Sequence, residues 1–345
     1  MTPRTRPRTG TGTGVRTHAR RRSVAAVVMA AVAVLAGCGA GGGGVSAVPD
    51  PVGPHPVVLT TQARTVLAKV AAGTSSAVSA GTATAIGPRV VGPEKDMLAA
   101  SLKLPTQLRP QGPATEPSWQ RLLVPAQTGW PRWFVGVGTS SSRATPVIWV
   151  LSSAGARAPY GLWGELVMLP GGQLPEVAPV DRGAPELAPD ATGLVAGPKD
   201  VAAWYADVLG AGLGSRYAKS FAPDVFRDQV LKKIAGDRVK LQAVQGTVNS
   251  QHVVQGSPLA LRTADGGALV IVAFTETYTV KLPANAGTVN FRDPVVTALA
   301  GKSSFSSQVV QTSTELVAFT VPPASAGGQV EVVAAAKAHL SAVGS

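Results

Sequence analysis

The chain has 345 residues, a formal charge of +12 from 31 Lys plus Arg against 19 Asp plus Glu, 45% apolar residues and one cysteine. At roughly 100 to 200 residues per domain the length suggests two domains. With 39 Gly and 28 Pro in a chain only 14% charged, it is globular and heavily punctuated by turns, which excludes collagen, coiled coil and multi-span membrane protein. One cysteine excludes an internal disulfide and a thiolate cluster for structural zinc or iron–sulfur.

Residues 1–37 hold seven arginines (Arg4, Arg6, Arg8, Arg16, Arg20, Arg21 and Arg22) and no acid, so the remainder carries 24 bases against 19 acids, or +5. The basic pI is therefore mostly a property of this segment and is poor evidence for a nucleic-acid partner. The apolar run Val24–Ala36 has thirteen residues, the length of a signal-peptide core and too short to span a bilayer. Arg21-Arg22 is a weak twin-arginine match, because Ser23-Val24-Ala25 lacks the usual hydrophobic continuation. The run ends in Leu35-Ala36-Gly37-Cys38, which resembles the lipobox of bacterial lipoproteins. That resemblance implies cleavage before Cys38 and diacylglyceryl and palmitoyl chains on it. Each buried CH₂ would contribute about 0.8 kcal/mol of membrane affinity. The expected location is the extracytoplasmic face of a cell membrane, with no free thiol left for chemistry.

After the signal (1–37), the Gly- and Pro-rich segment 38–56 reads as a tether. The expected first domain spans 57–174. Leu59, Ala63, Val66, Leu67 and Val70 recur on one helical face, with Thr60 or Thr61 as N-cap and Gly73 as the stop. A second helix is expected over Glu94–Leu104, ended by Pro105. Strands are expected at Leu122–Val124, Trp133–Val137, Val147–Leu151 and Tyr160–Leu169, where β-branched and aromatic residues alternate with turn signals. Residues 175–197, rich in Pro, read as a linker.

The expected second domain, 198–345, repeats the order. Val201, Trp204, Tyr205, Val208 and Leu209 predict a helix from Pro198 to Gly210 or Gly212, and a further helix is expected over Pro223–Ala235 with Gly236 just beyond its end. Strands are expected at Val239–Val248, Leu269–Leu282, Val295–Leu299, Val309–Val321 and Gln329–Ala336. Helices followed by an antiparallel sheet, twice, make an α+β chain of two tandem domains. That order resembles the cystatin-like or nuclear-transport-factor-like architecture. More narrowly, Gly129-Trp130-Pro131-Arg132-Trp133-Phe134 and Pro159-Tyr160-Gly161-Leu162-Trp163 resemble the first domain of a group of uncharacterised actinobacterial lipoproteins. The resemblance implies location and fold, and brings no activity, cofactor or catalytic residue.

No nucleophile elbow, P-loop, dinucleotide fingerprint or H-E-x-x-H is present, so neither a catalytic set nor a metal or cofactor is expected. Of the histidines beyond the signal, His55 lies in the tether, His339 near the C-terminus, and His252 in the polar run Asn249-Ser250-Gln251-His252 that reads as an exposed hairpin tip. Glu276 has the strand parity of Phe274 and Tyr278. On an inner face its carboxyl would have a raised pKa and could act as a general acid or base, as in isomerases and dehydratases of the nuclear-transport-factor-like fold. With no second acid or histidine placeable beside it, the sequence favours a solvent-facing Glu276. Glu276 and Tyr278 are the candidate pocket.

Trp130, in a turn beside Arg132, is the candidate binding surface, since an indole next to a guanidinium is common at interfaces. The function expected is a non-catalytic lipoprotein that binds an envelope partner. A small-molecule binder, or an isomerase-like enzyme using the second sheet, is the alternative.

Overall fold

Helix α1 (Thr60–Ala80) opens the fold in the computed structural model, which describes residues 53–114, 117–140 and 143–345. The Leu59 amide donates to Gln62 Oε1 at 3.0 Å. The helix runs past Gly73, whose missing Cβ would lie 2.8 Å from Arg89 Cβ, and stops at Gly81 with φ +70°. Gly73 is thus a close-packing residue rather than the helix stop expected from sequence. Helix α2 (Gly92–Lys103) starts two residues ahead of the expected Glu94, with Pro93 in its first turn, and ends ahead of Pro105, as expected.

Strands β1 (Ser118–Leu123), β2 (Arg132–Ser140), β3 (Arg143–Ser153) and β4 (Gly161–Met168) follow as an antiparallel meander. Residues 175–197, the expected linker, lie along the body of the fold. Within them Ala184 and Pro185 pair with Pro125 and Ala126, and Glu186 bridges to Leu261.

In the second half, α3 (Pro198–Ala211) is where expected, and α4 (Val225–Leu241) is capped by Asp224, whose carboxylate accepts from the Arg227 amide at 2.7 Å. Two expectations fail here. The expected strand from Val239 begins only at Thr247, because α4 continues beyond Gly236 to Leu241; Arg238 and Lys240 in its last turn suit the dipole. Val295–Leu299 is part of a short helix, α5 (Pro294–Ala300): Asp293 accepts from the amides of Val295 and Val296, Pro294 occupies the first turn, and Gly301 at φ +68° ends it. Those end signals override the β preference of the two valines. The remaining strands are β5 (Thr247–Arg262), β6 (Ala268–Lys281), β7 (Gln308–Val321) and β8 (Glu331–Gly344).

All eight form one antiparallel sheet ordered β1-β2-β3-β4-β8-β7-β6-β5. The last strand of each meander pairs with the other, Val167 with Ala335 and Met168 with Ala334, so the two meanders join edge to edge in one sheet. The described residues lie in one compact unit. The sheet curls round a core shared by both halves, in which Trp133, Val135 and Ile148 join Leu269, Ile271 and Leu316. On the opposite face of the first half, Leu67 and Val70 of α1 pack with Phe134 and Trp149. On that of the second, Tyr205, Val208, Val230 and Ile234 of α3 and α4 pack with Phe274 and Phe319. The chain is therefore α+β with a single curled eight-stranded sheet.

Candidate functional site

The helix-covered face of β5–β8 changes character along its length. Phe274, Val317 and Phe319 belong to a dry aromatic core. One residue pair further on, two rows of polar side chains cross the strands. Register aligns His252, Glu276, Ser313 and His339 in one row, and Glu315 with Lys337 in the next. Glu276 is 2% exposed and Glu315 0%.

The Lys337 ammonium lies 2.6 Å from Glu276 Oε2 and 2.9 Å from Glu315 Oε1, the latter a charge contact rather than an aligned hydrogen bond. His252 Nδ1 is 2.8 Å from Glu315 Oε2. That oxygen, when ionised, can only accept, so Nδ1 carries the hydrogen. Ser250 Oγ donates to Glu276 Oε1 at 3.1 Å and lies 3.0 Å from His252 Nε2. His339 Nδ1 meets Ser313 Oγ at 3.1 Å.

Burial alone would push the Glu276 carboxyl up, but the Lys337 charge, helped by His252 and Ser313, holds it below the usual carboxylate range. Burial would likewise lower Lys337, and Glu315 and Glu276 outweigh it, so the amine is held charged above its ordinary range. His339 is pushed down by burial and by Lys337.

Two expectations are corrected here. Glu276 faces the interior, not solvent, yet its pKa is lowered rather than raised, because the chain brings a lysine from β8 against it. His252 is no exposed hairpin tip: β5 begins at Thr247, and its alternation turns Val248, Ser250 and His252 inward while Asn249 and Gln251 face out. Lys337 and Glu315 were not singled out from sequence, and His339 was set aside as lying near the C-terminus. Glu315 carried a usable signal, having the parity of Val317 and Phe319, whereas Lys337 and His339 lay beyond the expected end of the last strand.

Tyr278 shares the face of Glu276 but has a different partner. Its hydroxyl donates to Asp237 Oδ2 of α4 at 2.8 Å, and the Lys233 ammonium lies 4.4 Å from its ring centroid. Burial and then Asp237 raise its pKa. Asp237 is itself held low against burial by Lys233, Tyr278 and Lys240. The candidate pocket residues are therefore inner-face neighbours serving two separate polar clusters.

His252, Glu276 and Glu315 place one ligand atom each within 4.8 Å of one another, a spacing that suits a metal ion. The Lys337 ammonium already stands between the two carboxylates, so the cation of this cluster is the chain's own.

On the first half, Trp130 is 41% exposed, and the Arg132 guanidinium lies 4.8 Å from its ring centroid. Arg132 is steadied by the Gly129 carbonyl at 3.3 Å and approaches His55 Nε2 at 3.4 Å. Cys38 lies outside the described residues. No helix among those described is long and apolar enough to cross a membrane.

A family described as a domain of unknown function (DUF8094) matches residues 54–344, the whole of the curled sheet and its helices. The chain belongs to this family. It is similar to an uncharacterised lipoprotein of Streptomyces avermitilis, 28% identical over 181 residues (52% of each chain). It is also similar to an uncharacterised lipoprotein of Streptomyces coelicolor, 29% identical over 197 residues (55% of this chain and 57% of the relative). The chain thus spans about half the length of the curated relatives it matches. No solved structure matches. This family member is therefore grouped with bacterial, actinobacterial lipoproteins.

Proposed function

We propose that the chain is anchored through lipidated Cys38 on the extracytoplasmic face of the cell membrane and that its folded part is a non-catalytic binding protein. The likeness to two lipoproteins and the Leu35-Ala36-Gly37-Cys38 box support the anchor. Each half, a helix pair on a four-stranded meander, supports a cystatin-like or nuclear-transport-factor-like ancestry. The observation that carries the non-catalytic reading is the state of Glu276: the acid best placed to act as a base is 2% exposed and tied to Lys337 and Ser250. A carboxylate so engaged is a poor proton acceptor. The exposed Trp130–Arg132 pair offers a surface for an envelope partner.

The anchor is tested by growing cells with labelled palmitate. The wild-type chain takes up label and is digested by protease added to intact cells, and Cys38→Ala takes up none. Label persisting in Cys38→Ala would overturn the anchor. Binding is tested by crosslinking in the native membrane, where Trp130→Ala with Arg132→Ala loses the partner captured by wild type. Unchanged capture would remove that surface from the proposal.

A second reading, a small-molecule site in the second half, is favoured by a cleft of about 740 Å³ between α4, the 289–296 segment and the ends of β6 and β7.

A further inference from the structure

That cleft combines three features that belong together in a ligand site. The first is uncompensated positive charge. Its two acids are already engaged: Asp237 by Lys233, Lys240 and Tyr278, and Asp293 by the amides of Val295 and Val296. Lys232 and Arg292, on opposite walls, have no ion-pair partner among the described residues. The second is an apolar floor, contributed by Val280 of β6 together with Val289 and Phe291 of the facing segment. The third is an orphaned acceptor. Gln311 is 1% exposed, lines the cleft, and its buried Oε1 has no hydrogen-bond partner. A buried carbonyl oxygen without a donor is uncommon in folded proteins and calls for one. The volume lies within the range of small-molecule sites, roughly 300 to 1,000 Å³.

The geometry points to a binding site for an amphipathic organic anion that carries a hydrogen-bond donor. The anionic group sits between Lys232 and Arg292, the apolar body on Val280, Val289 and Phe291, and an N–H or O–H meets Gln311 Oε1. This deepens the reading of the folded part as a binding protein and is independent of how the chain is anchored.

The probe is 8-anilinonaphthalene-1-sulfonate, which has a sulfonate, an aromatic body and an N–H. Its fluorescence is followed with the full-length chain in phosphatidylcholine nanodiscs, after subtraction of empty discs. The expected result is saturable one-to-one binding that weakens as NaCl rises. Lys232→Gln with Arg292→Gln should weaken it about tenfold or more, since it removes the charge-assisted contacts. N-phenyl-1-naphthylamine, which lacks the sulfonate, should bind wild type about tenfold more weakly by the same reasoning. Gln311→Leu should erase the preference over 8-phenoxynaphthalene-1-sulfonate, in which an ether oxygen replaces the N–H. The proposal is overturned if wild type shows no saturable signal, if the double variant binds as wild type does, or if salt leaves the affinity unchanged. Those results leave the palmitate and crosslinking tests untouched, so failure of this site and failure of the wider reading can be told apart.

Discussion

Replacing Lys337 by Met removes the only ammonium that touches Glu276 and Glu315 among the described residues while roughly preserving the length of the side chain. Both carboxylates are 0–3% exposed at the side chain, so they cannot recover hydration. The folded variant must either bury an unpaired charge or take up a proton. Protonating one carboxyl of ordinary pKa about 4.3 at pH 7.5 costs about 4.4 kcal/mol, at about 1.4 kcal/mol per pH unit. This agrees with the roughly 3–5 kcal/mol lost when one partner of a buried ion pair is deleted. The same cost falls to about 1 kcal/mol at pH 5.

The sign differs between the two proteins. In wild type the Glu276 pKa is lowered, so its contribution is present above the unfolded carboxyl range and is lost as pH falls through the folded value. Lys337 is raised, so its contribution is present below about pH 10.4 and is lost as pH rises through its folded value. The variant's deficit instead shrinks on acidification. Urea unfolding followed by tryptophan fluorescence at pH 5, 6.5 and 7.5 measures it. A deficit under about 1 kcal/mol at pH 7.5, or one that does not diminish towards pH 5, would refute the ion-pair account.

Asp224→Ala should destabilise by about 2–4 kcal/mol, because it removes the α4 cap and leaves the buried Tyr205 hydroxyl, now 3.0 Å from Asp224 Oδ1, without a partner; Asp224→Asn should recover at least half of the loss in thermal unfolding. Gly138→Ala places a methyl 2.7 Å from the Ser118 carbonyl and 3.0 Å from the Trp119 ring, and the resulting splay of β1 from β2 should cost about 1–3 kcal/mol in urea unfolding. Trp130→Phe should lower the iodide-quenchable tryptophan emission, since Trp130, 41% exposed, is the most exposed of the six tryptophans, with Trp119, Trp163 and Trp204 half-buried and Trp133 and Trp149 buried, while changing stability by no more than about 0.5 kcal/mol.

Element type was readable wherever periodicity and end signals agreed. Helix α3 shows both, with Pro198 at its start and Val201, Tyr205 and Val208 on one face. Where they disagreed, neither kind of signal won throughout: Asp293-Pro294 and Gly301 made a helix of a valine-rich segment, whereas Gly73 and Gly236, read as end signals, sit inside helices that continue for reasons of packing and charge. The junction between halves was not legible, because the Val167–Ala335 pair joins residues far apart in the chain and no local pattern announces a strand's neighbour. For the polar cluster, parity correctly put Glu276 with Phe274 and Tyr278. What it could not show is the cover. The Lys337 charge comes from β8 and His252 from β5, and only the assembled register sets them against the same carboxylates.

That register also explains why a charged cluster and an open cleft share one sheet face. Along β7, the inward positions pass from Phe319 and Val317 in the aromatic core, through Glu315 and Ser313 in the ion network, to Gln311 at the cleft. Along β6 the same order runs from Val272 and Phe274, through Glu276, to Tyr278 and then Val280. Helix α4 covers the apolar end with Val230 and Ile234 and meets the polar end with Lys233 and Asp237. A purely apolar strand set could slide by two residues and keep its faces. Paired carboxylates, an ammonium and an imidazole cannot slide, because any shift leaves a buried charge alone. The ion network therefore holds β5 to β8 in one alignment, and that alignment sets Gln311 and Val280 opposite Arg292.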